Sequence, residues 1–206
     1  MYETAADKRP FSTSSTTMTE DEFIAAALRN PINTAIMHVL RETDLPDAWI
    51  VSGCLVQTVW NVRTSRPVDH GILDYDVFYS DPDTSWEAED AVIKLVASLL
   101  AGIDAKVEVR NQARVHLWYP AKHGRPYPPL TRSTDGIDRF LTTNTQVGLR
   151  PVAGGYEVYA PKGFDDIAQM IVRPNITANF SAANYAAKAS RWKALWPEIT
   201  VIAAEE

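Results

Sequence analysis

Two periods of apolar residues run through this chain and divide it into helices and strands. Ile36, Met37, Val39 and Leu40 recur at the spacing of one helix face. Leu55, Val56, Val59 and Trp60 do the same, as do Ala91, Val92, Leu95, Val96 and Leu99. Thr19 with Glu22 three residues on forms a capping-box pattern and predicts a helix over about 20–28. Pro31 suits the first turn of a second helix, and Leu45-Pro46-Asp47 breaks it. Short apolar runs over 48–52 and 72–79 and an alternating run over 106–110 predict strands. A strand pair is predicted over 146–150 and 156–159, around Ala153-Gly154-Gly155. Further helices are expected over 86–100, 111–118, 133–141, 164–172 and 184–195, the last two ending near Pro174 and Pro197. Residues 61–71 and 123–129 read as loops. The order is helical, then mixed, then helical again.

The chain has 206 residues, enough for one domain with a real core, expected over 19–206. Residues 1–18 are rich in Ser, Thr and charge without periodicity and are expected to be a disordered tail. A net charge of -6 argues against a general nucleic-acid surface. The single cysteine, Cys54, excludes a disulfide within the chain. No apolar run is long enough to span a membrane and no signal pattern opens the chain, so a cytoplasmic protein is expected.

The chemistry concentrates in Ile72-Leu73-Asp74-Tyr75-Asp76-Val77-Phe78-Tyr79. On a strand, positions i and i+2 face the same way, so Asp74 and Asp76 share a face. Two carboxylates that close repel, and one pKa rises unless a cation lies between them. A divalent metal supplies that cation, and such pairs suit metal-assisted phosphoryl or nucleotidyl transfer. Phosphatases with an aspartyl nucleophile carry a similar signature on the loop beyond a strand. Here Val77, Phe78 and Tyr79 continue the apolar run after Asp76, which favours metal ligation.

Two other segments could converge on the pair. Val51-Ser52-Gly53-Cys54-Leu55 reads as a strand passing through a glycine into a helix, whose N-terminus suits a phosphate. It also reads as an ordinary turn. Glu108 lies between Val107 and Val109, so it points away from the face the valines bury. Arg110 shares its side, and Arg110 or Arg114 could meet a phosphate. A solvent-facing Glu–Arg pair is the plainer alternative. His116 and His123 lack partners at ligand spacing, and Cys54 fits a buried inert thiol better than a thiolate at a helix start. Trp118, Trp192 and Trp196 suit a core or an interface, and Asp165 and Asp166 suit helix N-terminal caps.

Taken together, three runs resemble the small bacterial nucleotidyltransferase-like family, within the polymerase-β-type nucleotidyltransferase superfamily. They are Ser52-Gly53-Cys54-Leu55-Val56-Gln57-Thr58-Val59-Trp60-Asn61, Asp74-Tyr75-Asp76-Val77, and the stretch from Glu108 to Trp118. Pro126-Tyr127-Pro128-Pro129-Leu130, Glu157-Val158-Tyr159-Ala160-Pro161 and the run from Lys188 to Pro197 extend the likeness. The resemblance implies an α/β (α+β) nucleotidyltransferase-like fold, a small mixed sheet backed by helices. It implies Gly53 as the phosphate turn, with Ser52 and Cys54 beside it. Asp74 and Asp76 would be the metal pair and Glu108 the third acid. The implied cofactor is Mg²⁺ or Mn²⁺, and the implied substrate is a nucleoside triphosphate. The acceptor would be a small molecule or a protein hydroxyl, with RNA the least suited given the net charge. Cys54 stands where Ser or Gly is usual. That departure supports the alternative of a nucleotide- or partner-binding module that has lost turnover.

Overall fold

The computed structural model describes residues 17–204. The expected tail lies outside them except for Thr17 and Met18. Met18 packs into the core.

Two helices open the described chain, α1 (Glu20–Ala27) and α2 (Pro31–Glu42). Thr19 accepts from the Glu22 amide and Glu22 reaches back to Thr19, satisfying two donors that the first helical turn leaves unpaired. A short strand, β1 (Trp49–Val51), feeds α3 (Gly53–Arg63). Next come β2 (Tyr75–Tyr79), α4 (Trp86–Leu99), β3 (Val107–Asn111) and α5 (Val115–His123). The chain continues through α6 (Ser133–Ile137), β4 (Gly148–Val152), β5 (Gly155–Tyr159) and α7 (Asp165–Ala168). It ends with β6 (Ile171–Val172), α8 (Ala182–Leu195) and β7 (Thr200–Val201). The class is α+β. A mixed five-stranded sheet runs in the order β3-β2-β1-β4-β5, with only β2 and β3 parallel.

The two faces of this sheet differ. Ile50, Tyr75, Val77, Tyr79, Val109 and Leu149 project into the main core, together with most of α3. The period-two alternation sends their neighbours to the other face, where Trp49, Val51 and Ile137 form a small cluster flanked by Phe78, Phe140 and Tyr159. That second face is only partly covered. It is where Asp76, Phe78, Glu108 and Arg110 emerge.

Helix α3 is buried nearly all round, so its polar residues need internal partners. Thr58 Oγ1 donates to the Cys54 carbonyl (2.7 Å) and accepts from Asn30 Nδ2 (3.1 Å), which also donates to the Tyr75 hydroxyl (3.1 Å). Asn61 was expected to begin a loop, yet the helix continues to Arg63. Asn61 Nδ2 donates to the carbonyls of Val68 and His70 (3.1 and 2.9 Å), and its Oδ1 accepts from Trp196 Nε1 (2.9 Å). Trp60 meets Trp192 edge-on at 5.2 Å and Trp196 at 5.6 Å, which pins α8 to α3.

The expected helix over 164–172 is a single turn. Met170 takes a positive φ of 55°, and Ile171–Val172 then pairs with Thr200–Val201 as a small parallel sheet. Asp166 is not a cap: it accepts from Thr143 Oγ1 (2.7 Å) and pairs with Arg173 (3.2 Å). Among the described residues no helix is long and apolar enough to cross a membrane.

Candidate active site

The register brings three segments side by side. Val51 on β1 lies opposite Asp76 on β2, and Asp76 lies opposite Glu108 on β3. Phe78 and Arg110 form the next pair in the same direction. Burial follows the alternation: Tyr75, Val77 and Tyr79 are buried, whereas Asp76 and Phe78 are half-buried on the opposite side. Glu108 and Arg110 likewise stand opposite to Val109 and Asn111. Asp74 precedes the first residue of β2 and is more open than Asp76.

Residue Ser52 makes the turn from β1 into α3. Its φ of 65° and ψ of -129° lie outside the regions an L-residue normally occupies, and its side chain makes no capping hydrogen bond. Its backbone is held on both sides. The Ser52 amide donates to the Val147 carbonyl (2.9 Å), and its own carbonyl accepts from Leu55 and Val56. The unusual backbone angle therefore falls on Ser52 rather than on Gly53, which begins the helix. A Cβ at Gly53 would lie 2.9 Å from the terminal Nε2 of Gln57. A backbone left bare at a helix N-terminus is open to an anion. Cys54 is buried, its Sγ donates to the Val51 carbonyl (3.4 Å), and burial followed by the Asp76 charge pushes its pKa up. It is an inert thiol.

Electrostatics separate the three acids. Burial, then the Asp74 and Glu108 carboxylates, push the Asp76 carboxyl up to about 7, against the opposing pull of Lys188 and Arg110. Glu108 goes the other way: the hydrogen bond from Lys106 holds its carboxyl below the ordinary value. Lys106 Nζ bonds Glu108 Oε1 and lies 3.9 Å from Asp74 Oδ2, and Arg110 Nη2 is 3.3 Å from Glu108 Oε2. Among the described residues no three of His, Cys, Asp and Glu already stand as a metal-ligating cluster. Carboxylate oxygens are nonetheless the donors a hard divalent cation takes, and burial with two neighbouring carboxylates outweighs Lys188 and Arg110 at Asp76. The pair fits such a cation. Glu108 is already engaged by Lys106 and Arg110.

Arg114 does not join the group. It pairs with the buried Glu89, donates from Nε to the Thr84 carbonyl (3.2 Å) and lies 5.5 Å over the Trp86 ring. His116 Nδ1 is buried without a hydrogen-bond partner, while His123 stacks at 4.4 Å on Tyr119. The tryptophans divide: Trp192 and Trp196 are core, whereas Trp118 lines a cavity next to Arg110. Two functional candidates escape the sequence reading, Lys106 and Lys188. Lys106 shares the Glu108 face by the same i, i+2 rule and was legible on that ground. Lys188 comes from α8, and no local signal ties it to Asp76.

The turn into α3, Asp74 and Asp76 at the start of β2 and Glu108 on β3 thus lie side by side. The nucleotidyltransferase family model matches residues 38–201, and the chain belongs to that family. A solved structure described as an NMR structure revealing a CCA-adding enzyme head domain superposes with a TM-score of 0.73. The two are 23% identical over 93% of this chain and 99% of that one, a likeness of fold. No curated protein matches. Family and fold support a role in nucleotidyl transfer.

Proposed function

We propose that this protein moves a nucleoside monophosphate from a nucleoside triphosphate to a hydroxyl acceptor, with a small molecule or a protein as acceptor. The observation that carries the reading is the register Val51–Asp76–Glu108, which sets the Ser52-Gly53 turn beside two acids on adjacent strands, with Asp74 just before the first of them. Asp74 and Asp76 would hold Mg²⁺ or Mn²⁺, with Glu108 joining as it exchanges Lys106. When bound, the cation offsets charge on the phosphoryl oxygens and makes the acceptor hydroxyl more acidic. The amides that open α3 take the charge of the terminal phosphates. Arg110 and Lys188 add positive charge where the transferred phosphoryl group sits. The acceptor oxygen bonds the α-phosphorus as the bond to the β-phosphate oxygen breaks. Pyrophosphate leaves, and the hydroxyl proton passes to the ionised Glu108.

Pyrophosphate release tests this. Each common ribonucleoside triphosphate is supplied with Mg²⁺ or Mn²⁺ and cell extract as a source of acceptor. Release by the wild type that disappears in Asp76→Asn, with the fold intact, supports the enzyme. Release unchanged in Asp76→Asn removes the reading.

One observation favours a second reading. Glu108 is neutralised from both sides by Lys106 and Arg110. A chain that keeps this arrangement with nucleotide bound is a binding module without turnover. It would bind a triphosphate and release no pyrophosphate.

A further inference from the structure

A cavity of about 280 Å³ opens from the functional face beyond Asp76, along β2 and β3. Its walls combine aromatic rings with cations. Aromatic rings bound it: Phe78 stacks on Phe140 at 5.5 Å, and Tyr119 lies tilted against Tyr127 at 4.4 Å. Arg110, Arg139 and Lys188 also line it, and among the described residues no carboxylate does. Arg139 lies over the Tyr127 ring at 5.1 Å, and its Nε is buried without a hydrogen-bond partner. Arg110 already pairs with Glu108, whereas the Arg139 guanidinium meets no carboxylate in the cavity lining and leaves positive charge there for an anionic group to meet.

We propose that this cavity binds the acceptor, and that the acceptor is a small planar molecule carrying an anionic group. The assignment rests on the nucleotidyl-transfer reading above. Size sets the first limit, since the cavity holds one small molecule. Planarity follows from the ring walls, which favour stacking on a flat face. The charge follows from the cations: a neutral nucleobase leaves the charge of the Arg139 guanidinium unmet, whereas a carboxylate or phosphate meets it. Position separates acceptor from nucleotide. The Ser52-Gly53 turn lies beside Asp76 toward the start of β2, while the cavity begins at Phe78, further along the same strand. The two sites thus approach Asp76 from different directions, as a transfer between two bound molecules requires. A polyanionic RNA needs a basic track beyond one cavity, against a net charge of -6.

The test is equilibrium binding to the full chain by calorimetry. The probe is 2-naphthoate, a planar anion, compared with 2-naphthamide, its uncharged counterpart. The expected result is saturable binding of the acid, with the amide weaker by about ten-fold or more. Arg139→Gln, checked for an unchanged melting temperature, should lose about ten-fold for the acid and almost nothing for the amide. ATP with Mg²⁺ should leave affinity for 2-naphthoate unchanged. Equal affinity for acid and amide overturns the proposal. So do the absence of saturable binding and displacement of the probe by ATP or by a single-stranded oligoribonucleotide. The wild-type comparison of acid with amide decides the matter even if Arg139→Gln does not fold. Failure of the transfer reading is distinguishable. A chain that binds 2-naphthoate selectively but releases no pyrophosphate keeps a planar-anion cavity and loses the reaction. One that releases pyrophosphate but binds acid and amide alike keeps the reaction and loses the cavity assignment.

Discussion

Two groups of carboxylates and cations sit along β3, one near each end. Beyond its C-terminal end Glu89 accepts from the Asn111 amide (2.9 Å) and pairs with Arg114, with side-chain exposures of 2% and 13%. Toward its N-terminal end Asp74, Asp76 and Glu108 face Lys106 and Arg110, and Lys106 and Asp74 are 65% and 45% exposed. The residue types are alike and the outcomes differ. Glu89 is saturated by partners that cannot leave without breaking the fold. The Asp76 carboxyl stays raised despite the pull of Lys188 and Arg110, and the cation beside Asp74 is the exposed Lys106 at 3.9 Å. A closed pair specifies structure, whereas an open one leaves electrostatic demand for a ligand to meet. Arg114 illustrates the point: from sequence it competes with Arg110 for a phosphate, and Glu89 removes it from the contest.

Breaking each group should therefore have opposite signatures. The largest effect falls on the open group. Asp76→Asn should lower nucleotidyl transfer by about 10³-fold or more, while the melting temperature stays level or rises because a repelled, half-buried charge is gone. Pyrophosphate release and a thermal melt on one sample check both halves. Next comes the closed group. Glu89→Ala should cost roughly 3–5 kcal/mol of stability by stranding Arg114 and the Asn111 amide, measured by urea unfolding. Whatever protein remains folded should keep its metal and nucleotide binding. A smaller effect sharpens the contrast: Lys106→Ala should tighten Mn²⁺ binding several-fold, roughly 1 kcal/mol, because Glu108 is freed for the cation. Paramagnetic resonance of Mn²⁺ reads this directly, and an unchanged affinity would mean Glu108 stays out of the metal site. The smallest effect belongs to an exposed control pair. Arg66 forms a fork on Glu198 (2.9 and 3.1 Å), and Arg66→Ala should cost no more than about 1 kcal/mol in the same urea experiment.

Much of this arrangement was legible because it rests on the shortest period in protein structure. Asp76, Phe78, Glu108 and Arg110 share a face by alternation alone, and only the register between β2 and β3 had to come from the fold. Local turn chemistry was half legible. Gly53 marked the strand-to-helix turn, but the positive φ falls on Ser52, which is held there by Val147, a residue distant in sequence. Contacts between distant segments were not legible. The expected helix over 164–172 fails because Ile171 and Val172 pair with Thr200 and Val201, which periodicity within a window cannot see. Asn61 reads as a loop residue until Trp196, Val68 and His70 supply its partners. Lys188 and Arg139 reach the cavity from α8 and from just beyond α6, so their convergence on one wall is a property of the fold.

On the proposed function, Asp74 and Asp76 carry out nucleotidyl transfer rather than hold a nucleotide passively. The most direct measurement supplies triphosphates labelled at the α-phosphorus, with Mg²⁺ and cell extract, to the wild type and to the double variant Asp74→Asn/Asp76→Asn. Label covalently attached to an acceptor by the wild type, and by the wild type alone, is the predicted result. Equal labelling by the two proteins, with both shown to be folded, would contradict it.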